Sequence, residues 1–184
     1  MTTPDTADTA VERVVLLDEA ARPIGSMPKS EVHTADTPLH SAFSCYLIDD
    51  EDRILLTRRA LTKAAWPGVW TNSFCGHPAP GEDIEDALVR RADQELGTTV
   101  TAVTVIAPDF RYRAVDAGGI VENEVCPVYV ARIASPLDPS PAEVAEWSWT
   151  PIAEVRAALS ATPFVFSPWM VDQFAAGVFE SLRP

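Results

Sequence analysis

The stretch from Asp83 to Leu96 constrains this chain most, because it reads as a helix with two charges on its apolar side. It is opened by Pro80-Gly81-Glu82 and closed by Gly97, the start and stop signals of a helix. At about 100° per residue, Ile84, Leu88 and Ala92 form one apolar stripe, and Arg91 and Glu95 project within roughly 20° of Ile84. Charges carried into an apolar interface are costly unless they are paired or bound to an ion. Either Arg91 and Glu95 neutralise each other at their i,i+4 spacing, or the helix packs beside a site that holds anions and metal.

The rest of the chain is mostly strand-like. Arg13 to Asp18 predicts a first strand, ended by a turn at Arg22-Pro-Ile-Gly25. Ala42 to Ile48 and Arg53 to Thr57 predict a hairpin whose tip is the acidic Asp49-Asp-Glu-Asp52. Val69 to Phe74 predicts a short strand running into Cys75-Gly76-His77. Two long stretches follow, roughly Val100 to Ala114 and Ile120 to Ile133, with a turn at Asp116-Ala-Gly-Gly119. Ser135 to Pro141 is a loop, Glu146 to Trp149 an edge strand, Pro151 to Leu159 a short helix, and Pro168 to Leu182 a last helix. Strands joined as hairpins and interleaved with helices predict an α+β (mixed α/β) fold, a mixed sheet packed between helices. Residues 1–11 read as a disordered tail and 12–184 as a single domain.

A net charge of −13 argues against a nucleic-acid partner. Apolar runs are too short for a membrane span, and the first residues have neither the basic nor the apolar region of a signal peptide. Three cysteines, Cys45, Cys75 and Cys126, are too few and too scattered for a disulfide framework, which points to the cytoplasm. The chain has only two lysines, Lys29 and Lys63, the first just before a histidine and the second shortly after Arg58-Arg59. In so acidic a chain, that placement favours a local anion site, expected to serve a small molecule bound by a monomer.

All three histidines lie in segments able to hold a metal: His33 and His40 in His33-Thr-Ala-Asp-Thr-Pro-Leu-His40, and His77 in Cys75-Gly-His77. The acidic pair Glu122-Asn-Glu124 stands on an apolar, strand-like stretch. Residues two apart on a strand share a face, so both glutamates can point at one ion while Asn123 turns away. Taken singly, Cys75 is a small buried hydrophobe, Trp169 a helix anchor and Tyr112 a strand residue. Cys45 and Cys126 are expected in the core.

The run from Gly76 through Glu82 and Arg90 to Glu95 and Gly97 is similar to the loop–helix–loop signature of the Nudix superfamily. Where that signature has two further glutamates, this chain has Arg91 and Gln94, so only Glu95 is kept. The segments Trp70-Thr-Asn-Ser-Phe-Cys75-Gly-His77-Pro, Tyr112 with Glu122-Asn-Glu124, Phe166-Ser-Pro-Trp169-Met, the two-histidine run and Arg58-Arg59-Ala-Leu-Thr-Lys63 together closely resemble type I isopentenyl-diphosphate isomerase. The resemblance covers about Val14 to Trp169 in order and implies a Nudix-like fold.

It also implies roles. His33, His40, His77, Glu122 and Glu124 would bind one Mn2+ or Zn2+. Glu95, helped by the Cys75 backbone carbonyl, would join a Mg2+ that bridges to the substrate diphosphate. Lys29, Arg59, Lys63 and Arg91 would neutralise that diphosphate. Cys75 and Glu124 would carry the two protons of a double-bond shift through a tertiary carbocation, with Tyr112 orienting Glu124 and Trp169 presenting its π face to the cation. The substrates implied are a homoallylic and an allylic diphosphate, interconverted for isoprenoid biosynthesis. The rival reading is a Nudix hydrolase that cleaves a diphosphate; a non-catalytic metal- or ligand-binding protein is the other.

Overall fold

The computed structural model describes residues 12–182, so the expected tail at 1–11 lies outside the described residues. In chain order the strands and helices are β1 (Arg13–Leu17), β2 (Pro23–Pro28), α1 (Lys29–Val32), β3 (His40–Ser41), β4 (Phe43–Ile48) and β5 (Arg53–Arg59). Then come β6 (Trp70–Thr71), β7 (Phe74–Gly76), α2 (Ile84–Leu96), β8 (Val100–Ala107), β9 (Arg111–Val115) and β10 (Val121–Val125). The last are β11 (Val128–Ile133), β12 (Val144–Pro151), α3 (Ile152–Ala161) and α4 (Pro168–Ala175).

They form two sheets. One has five strands in the order β2-β1-β3-β10-β9; the other has seven, β12-β5-β4-β11-β8 with β6 against β5 and β7 against β4. Strand β4 is buried along its whole length, and its alternation explains why. Phe43, Cys45 and Leu47 pack with Leu88, Ala92 and Leu96 of α2, whereas Tyr46 and Ile48 pack with Val155, Leu159 and Met170 of α3 and α4. The seven-stranded sheet thus lies between helices, as the α+β reading expects. No helix among the described residues is long and apolar enough to cross a membrane.

Helix α2 begins and ends where its sequence predicts. Asp83 caps it by accepting from the Glu85 amide at 2.9 Å, and Gly97 leaves it in the left-handed region, φ 59°. A Cβ on Gly97 would also lie 2.4 Å from the Asp138 carbonyl oxygen, so no other residue fits without a backbone shift. Arg91 and Glu95 are both buried, and the Arg91 guanidinium pairs with the Glu95 carboxylate, so the i,i+4 pair exists and lies in the site as well.

Several boundaries differ from the sequence reading. The first turn spans Asp18 to Arg22, where the Asp18 carboxylate accepts from the Ala20 and Arg22 amides, which leaves residues 23–28 free to form β2. The two long strand-like stretches each break in two, at Pro108 and at Pro127. Proline has no amide hydrogen to continue a ladder, so the chain leaves one sheet there and joins the other. Strands β9 and β10 pair in the five-stranded sheet, and β8 and β11 in the seven-stranded one. The expected hairpin is narrow: β4 and β5 pair only at Ile48 and Ile54, and β6 and β7 fill the gap beyond. The last helix stops at Ala175, because Gly177 turns with φ 77° into a short 3-10 segment, Val178–Glu180.

Candidate active site

The three histidines and two glutamates come from four segments of the chain and converge, both glutamates from β10. His33 follows α1, His40 is in β3, and His77 leaves β7. Strands β3 and β10 run parallel with His40 beside Glu124, which brings that imidazole to that carboxylate. One ligand atom from each of His33, His40, His77 and Glu124 falls within 4.8 Å of all the others. Glu124 Oε1 is 3.1 Å from His77 Nε2 and 3.3 Å from His40 Nε2, and Glu122 Oε2 is 3.0 Å from His33 Nε2. Asn123 turns the other way and donates to the Thr37 carbonyl at 3.2 Å.

The donor chemistry fits a divalent cation. His33 Nε2, His40 Nε2 and Glu122 Oε2 are buried, and despite their short contacts none is aligned for a hydrogen bond, a costly condition that a shared ion would relieve. His40 Nδ1 faces the Pro38 carbonyl at 2.9 Å, which directs its other nitrogen inward as a ligand. Burial pushes the His77 pKa down to about 4, keeping that ring neutral. Burial opposes ionisation of Glu124, yet the adjoining His40 and His77 imidazoles outweigh it and hold that carboxyl well below the usual range. Glu122 moves up instead, through burial and the charge of Glu124.

Beside this cage opens a cleft of about 420 Å³. Every residue the sequence reading placed in the site lines it except His40, which is wholly buried behind the wall. Cys75, the middle residue of β7, sits opposite Ser44 of β4. Its Sγ lies 3.5 Å from Ser44 Oγ and 3.4 Å from both polar atoms of the Asn72 side chain. Burial raises the thiol to about 12, with Glu124 and Glu95 adding to the effect, so the sulfur keeps its proton. Gly76 lets α2 come close: a Cβ there would be 2.7 Å from Arg91 Cγ and from Phe43 Cζ. From β9, Tyr112 donates to Glu124 Oε2 at 2.9 Å.

The cationic end is built from α1, β5, the loop after β5, and α2. Lys29 pairs with Glu12 at 3.0 Å, and Lys63 with Glu143. Arg91 reaches Gln94 at 3.0 Å and Glu143 at 3.5 Å besides Glu95. Arg59 is held by the Ala65 and Trp66 carbonyls, and its guanidinium carbon lies 5.5 Å from the centre of the Trp169 ring. Trp169 also packs on Tyr112, with centroids 5.7 Å apart, and edge-on to Trp66 at 5.6 Å.

Sequence reasoning missed Asn72, Ser44, Glu12 and Glu143. Asn72 carried the one available signal, since asparagine is depleted in strands and here interrupts a strand-like run. The two glutamates carried none, because a surface carboxylate and a buried counter-ion look alike in a sequence.

A NUDIX domain model matches residues 38–170. Two solved structures share the fold at low identity. A Deinococcus radiodurans protein, DR0079, superposes with a TM-score of 0.69 at 16% identity, covering 90% of this chain and 98% of that one. A MutT protein from Methanosarcina mazei gives 0.58 at 16% identity, covering 78% and 94%. Mixed sheets, capped helix and family model together define a Nudix-fold protein.

Closer relatives narrow the class. A protein of Paenarthrobacter aurescens named isopentenyl-diphosphate Delta-isomerase is 62% identical over 165 residues, 90% of each chain. One of the same name from Brevibacterium linens is 56% identical over 164 residues, 89% of this chain and 90% of its own. The chain belongs to the isopentenyl-diphosphate Delta-isomerase family within the Nudix fold.

Proposed function

We propose that this protein interconverts isopentenyl diphosphate and dimethylallyl diphosphate, working in the cytoplasm as a monomer that supplies isoprenoid biosynthesis. The observation that carries this reading is the pairing of Cys75 and Glu124 across one cleft. The thiol comes from the seven-stranded sheet and the carboxylate from the five-stranded one, and both line the same space. Their protonation states are complementary. Burial keeps the proton on Cys75, and the adjoining His40 and His77 imidazoles, overriding burial, keep Glu124 ionised. A held proton on one carrier and an ionised carboxylate on the other are what a double-bond shift requires: addition at one carbon, removal two positions away.

The remaining residues serve the cation between those steps. Tyr112 fixes the Glu124 carboxylate by donating to it. The Trp169 ring lies under Arg59, and a ring face that attracts a guanidinium attracts a tertiary carbocation by the same quadrupole. Buried Trp66, Tyr112 and Trp169 keep water from the intermediate. Lys29, Arg59, Lys63 and Arg91 would take the diphosphate and so place the alkene. His33, His40, His77 and Glu124, with Glu122 beside them, would hold one Mn2+ or Zn2+, and Glu95 with the Cys75 carbonyl a Mg2+. Bound there, these ions supply positive charge that offsets the diphosphate and favours the ionised carboxylates.

The hydrolase alternative needs several carboxylates on α2, and Arg91 and Gln94 stand where two of them would be. Proton NMR of isopentenyl diphosphate in D2O with the protein, Mg2+ and Mn2+ tests the choice. Dimethylallyl diphosphate with deuterium in a methyl group is the expected product. Steady release of phosphate without isomer would overturn the reading.

A further inference from the structure

One wholly buried polar side chain touches two groups of the proposed chemistry and has been given no part in it. Asn72 lies between β6 and β7 with no exposed surface. Its Oδ1 accepts from Trp169 Nε1 at 2.9 Å and from Thr71 Oγ1 at 2.8 Å. Its Nδ2 donates to the Phe74 carbonyl at 2.7 Å and the Cys45 carbonyl at 3.1 Å, and Cys75 Sγ is 3.4 Å away.

A count of hydrogens fixes the side chain. The amide has two N–H donors, and the two carbonyls from β7 and β4 are its nearest acceptors. That anchors Oδ1 where the indole N–H and the thiol hydrogen can both reach it. The indole has a single N–H donor, and this bond takes it. Tyr112 and Trp66 pack on the ring, and the hydrogen bond adds a directional constraint that non-directional packing lacks.

The docking of α4 supports the same conclusion. Ser167, at its start, donates its amide to the Trp70 carbonyl at 2.8 Å and shares a 2.7 Å contact with Thr71 Oγ1. Gln173 stands four residues after Trp169 and donates to Ser44 Oγ at 3.1 Å, which in turn touches Cys75 Sγ at 3.5 Å. One face of α4 therefore reaches the thiol by two routes, through Asn72 near its start and through Ser44 a turn later.

We propose that Asn72 is a positioning residue that fixes the Trp169 indole relative to the Cys75 thiol, so that the ring meets the intermediate where the proton is exchanged. This rests on the isomerase reading. Loss of the bond leaves diphosphate binding intact and spoils the chemical step, so kcat falls while KM holds.

The test removes the bond from each end. Asn72→Ala deletes the acceptor; replacing Trp169 by 3-benzothienylalanine keeps the ring's shape and π face and deletes only the donor. Each is expected to lower kcat at least about tenfold with KM within about threefold, and the two together to be no more than about threefold worse than the weaker single variant. The Trp169 indole hydrogen, followed by 15N NMR, is expected to be protected from solvent in the wild type and to exchange at least about tenfold faster in Asn72→Ala. Wild-type kcat in the benzothienyl variant overturns the proposal, as do losses that multiply in the double variant. The benzothienyl variant decides alone if Asn72→Ala does not fold, because it leaves the Asn72 anchors in place. A wild type that fails to isomerise the substrate instead counts against the isomerase reading itself.

Discussion

Tyr112 and Glu124 stand directly opposite each other on β9 and β10, and the phenol donates to Glu124 Oε2 at 2.9 Å while Oε1 faces His40 and His77. The two carboxylate oxygens thus have separate duties, one toward the cage and one toward the tyrosine. Tyr112→Phe removes a buried hydrogen bond to a charged group and leaves the ring in place. Kinetics of the variant are expected to show kcat about tenfold lower, equivalent to about 1.4 kcal/mol, with KM little changed.

Removal of either proton carrier is expected to cost far more. Cys75→Ala deletes the proton that burial holds on sulfur, and Glu124→Gln deletes the carboxylate while keeping its shape. Turnover of isopentenyl diphosphate is expected to fall by about 1,000-fold or more in each, with a cooperative thermal melt retained. Wild-type turnover in both would falsify the assignment.

The cluster of histidines and Glu124 makes a prediction whose binding and Tm readouts need no substrate. His40 is fully buried, with one ring nitrogen tied to Pro38 and the other directed at the cluster. Chelation is expected to abolish activity and lower Tm, and added Mn2+ to restore both, because an ion that binds only the folded chain stabilises it. His40→Ala is expected to weaken binding at least about 100-fold, measured by titration with the metal alone.

The legible parts of this fold were local ones. Helix α2 is written in its own caps, and the charges on its apolar stripe announced either a buried pair or a neighbouring ion site; the structure has the pair, at the edge of the cleft. The cluster was legible because the chain's three histidines all lie in short segments with ligand-like neighbours, and an acidic pair has few structural uses on an apolar strand. What the sequence hid depends on distant partners. Pro127 marks a break within Ile120 to Ile133, but strand propensity is the same in either sheet, so the sequence does not say which sheet takes β10 and which takes β11. Likewise Asn72 acquires its contact with Trp169 from 97 residues away.

The cationic end should govern affinity rather than turnover. Lys63 Nζ lies against Glu143 and borders the cleft, where a diphosphate would compete for it. Lys63→Met keeps the aliphatic stem and removes the charge. It is expected to raise KM about 10- to 100-fold with kcat nearly unchanged, and to weaken the dependence of KM on ionic strength.

Glu82 fastens the loop that carries His77, and this gives an acid-stability prediction. Arg90 donates to both of its oxygens at 2.7 Å, the Ala79 amide donates at 2.7 Å, and Arg90 also reaches the His77 carbonyl at 3.2 Å. Those hydrogen bonds from Arg90, partly opposed by burial and reinforced by the Ala79 amide, hold the Glu82 carboxyl below its ordinary value. A carboxyl lowered on folding binds its proton more readily in the unfolded chain, so its contribution is fully present above the unfolded value. It is lost as pH falls through the folded one. Glu82→Ala is expected to cost about 1–2 kcal/mol at pH 7 in urea denaturation. The gap between variant and wild type should narrow as the pH falls below the ordinary glutamate range, and a gap that stays constant with pH would show that the clamp acts through packing instead of charge.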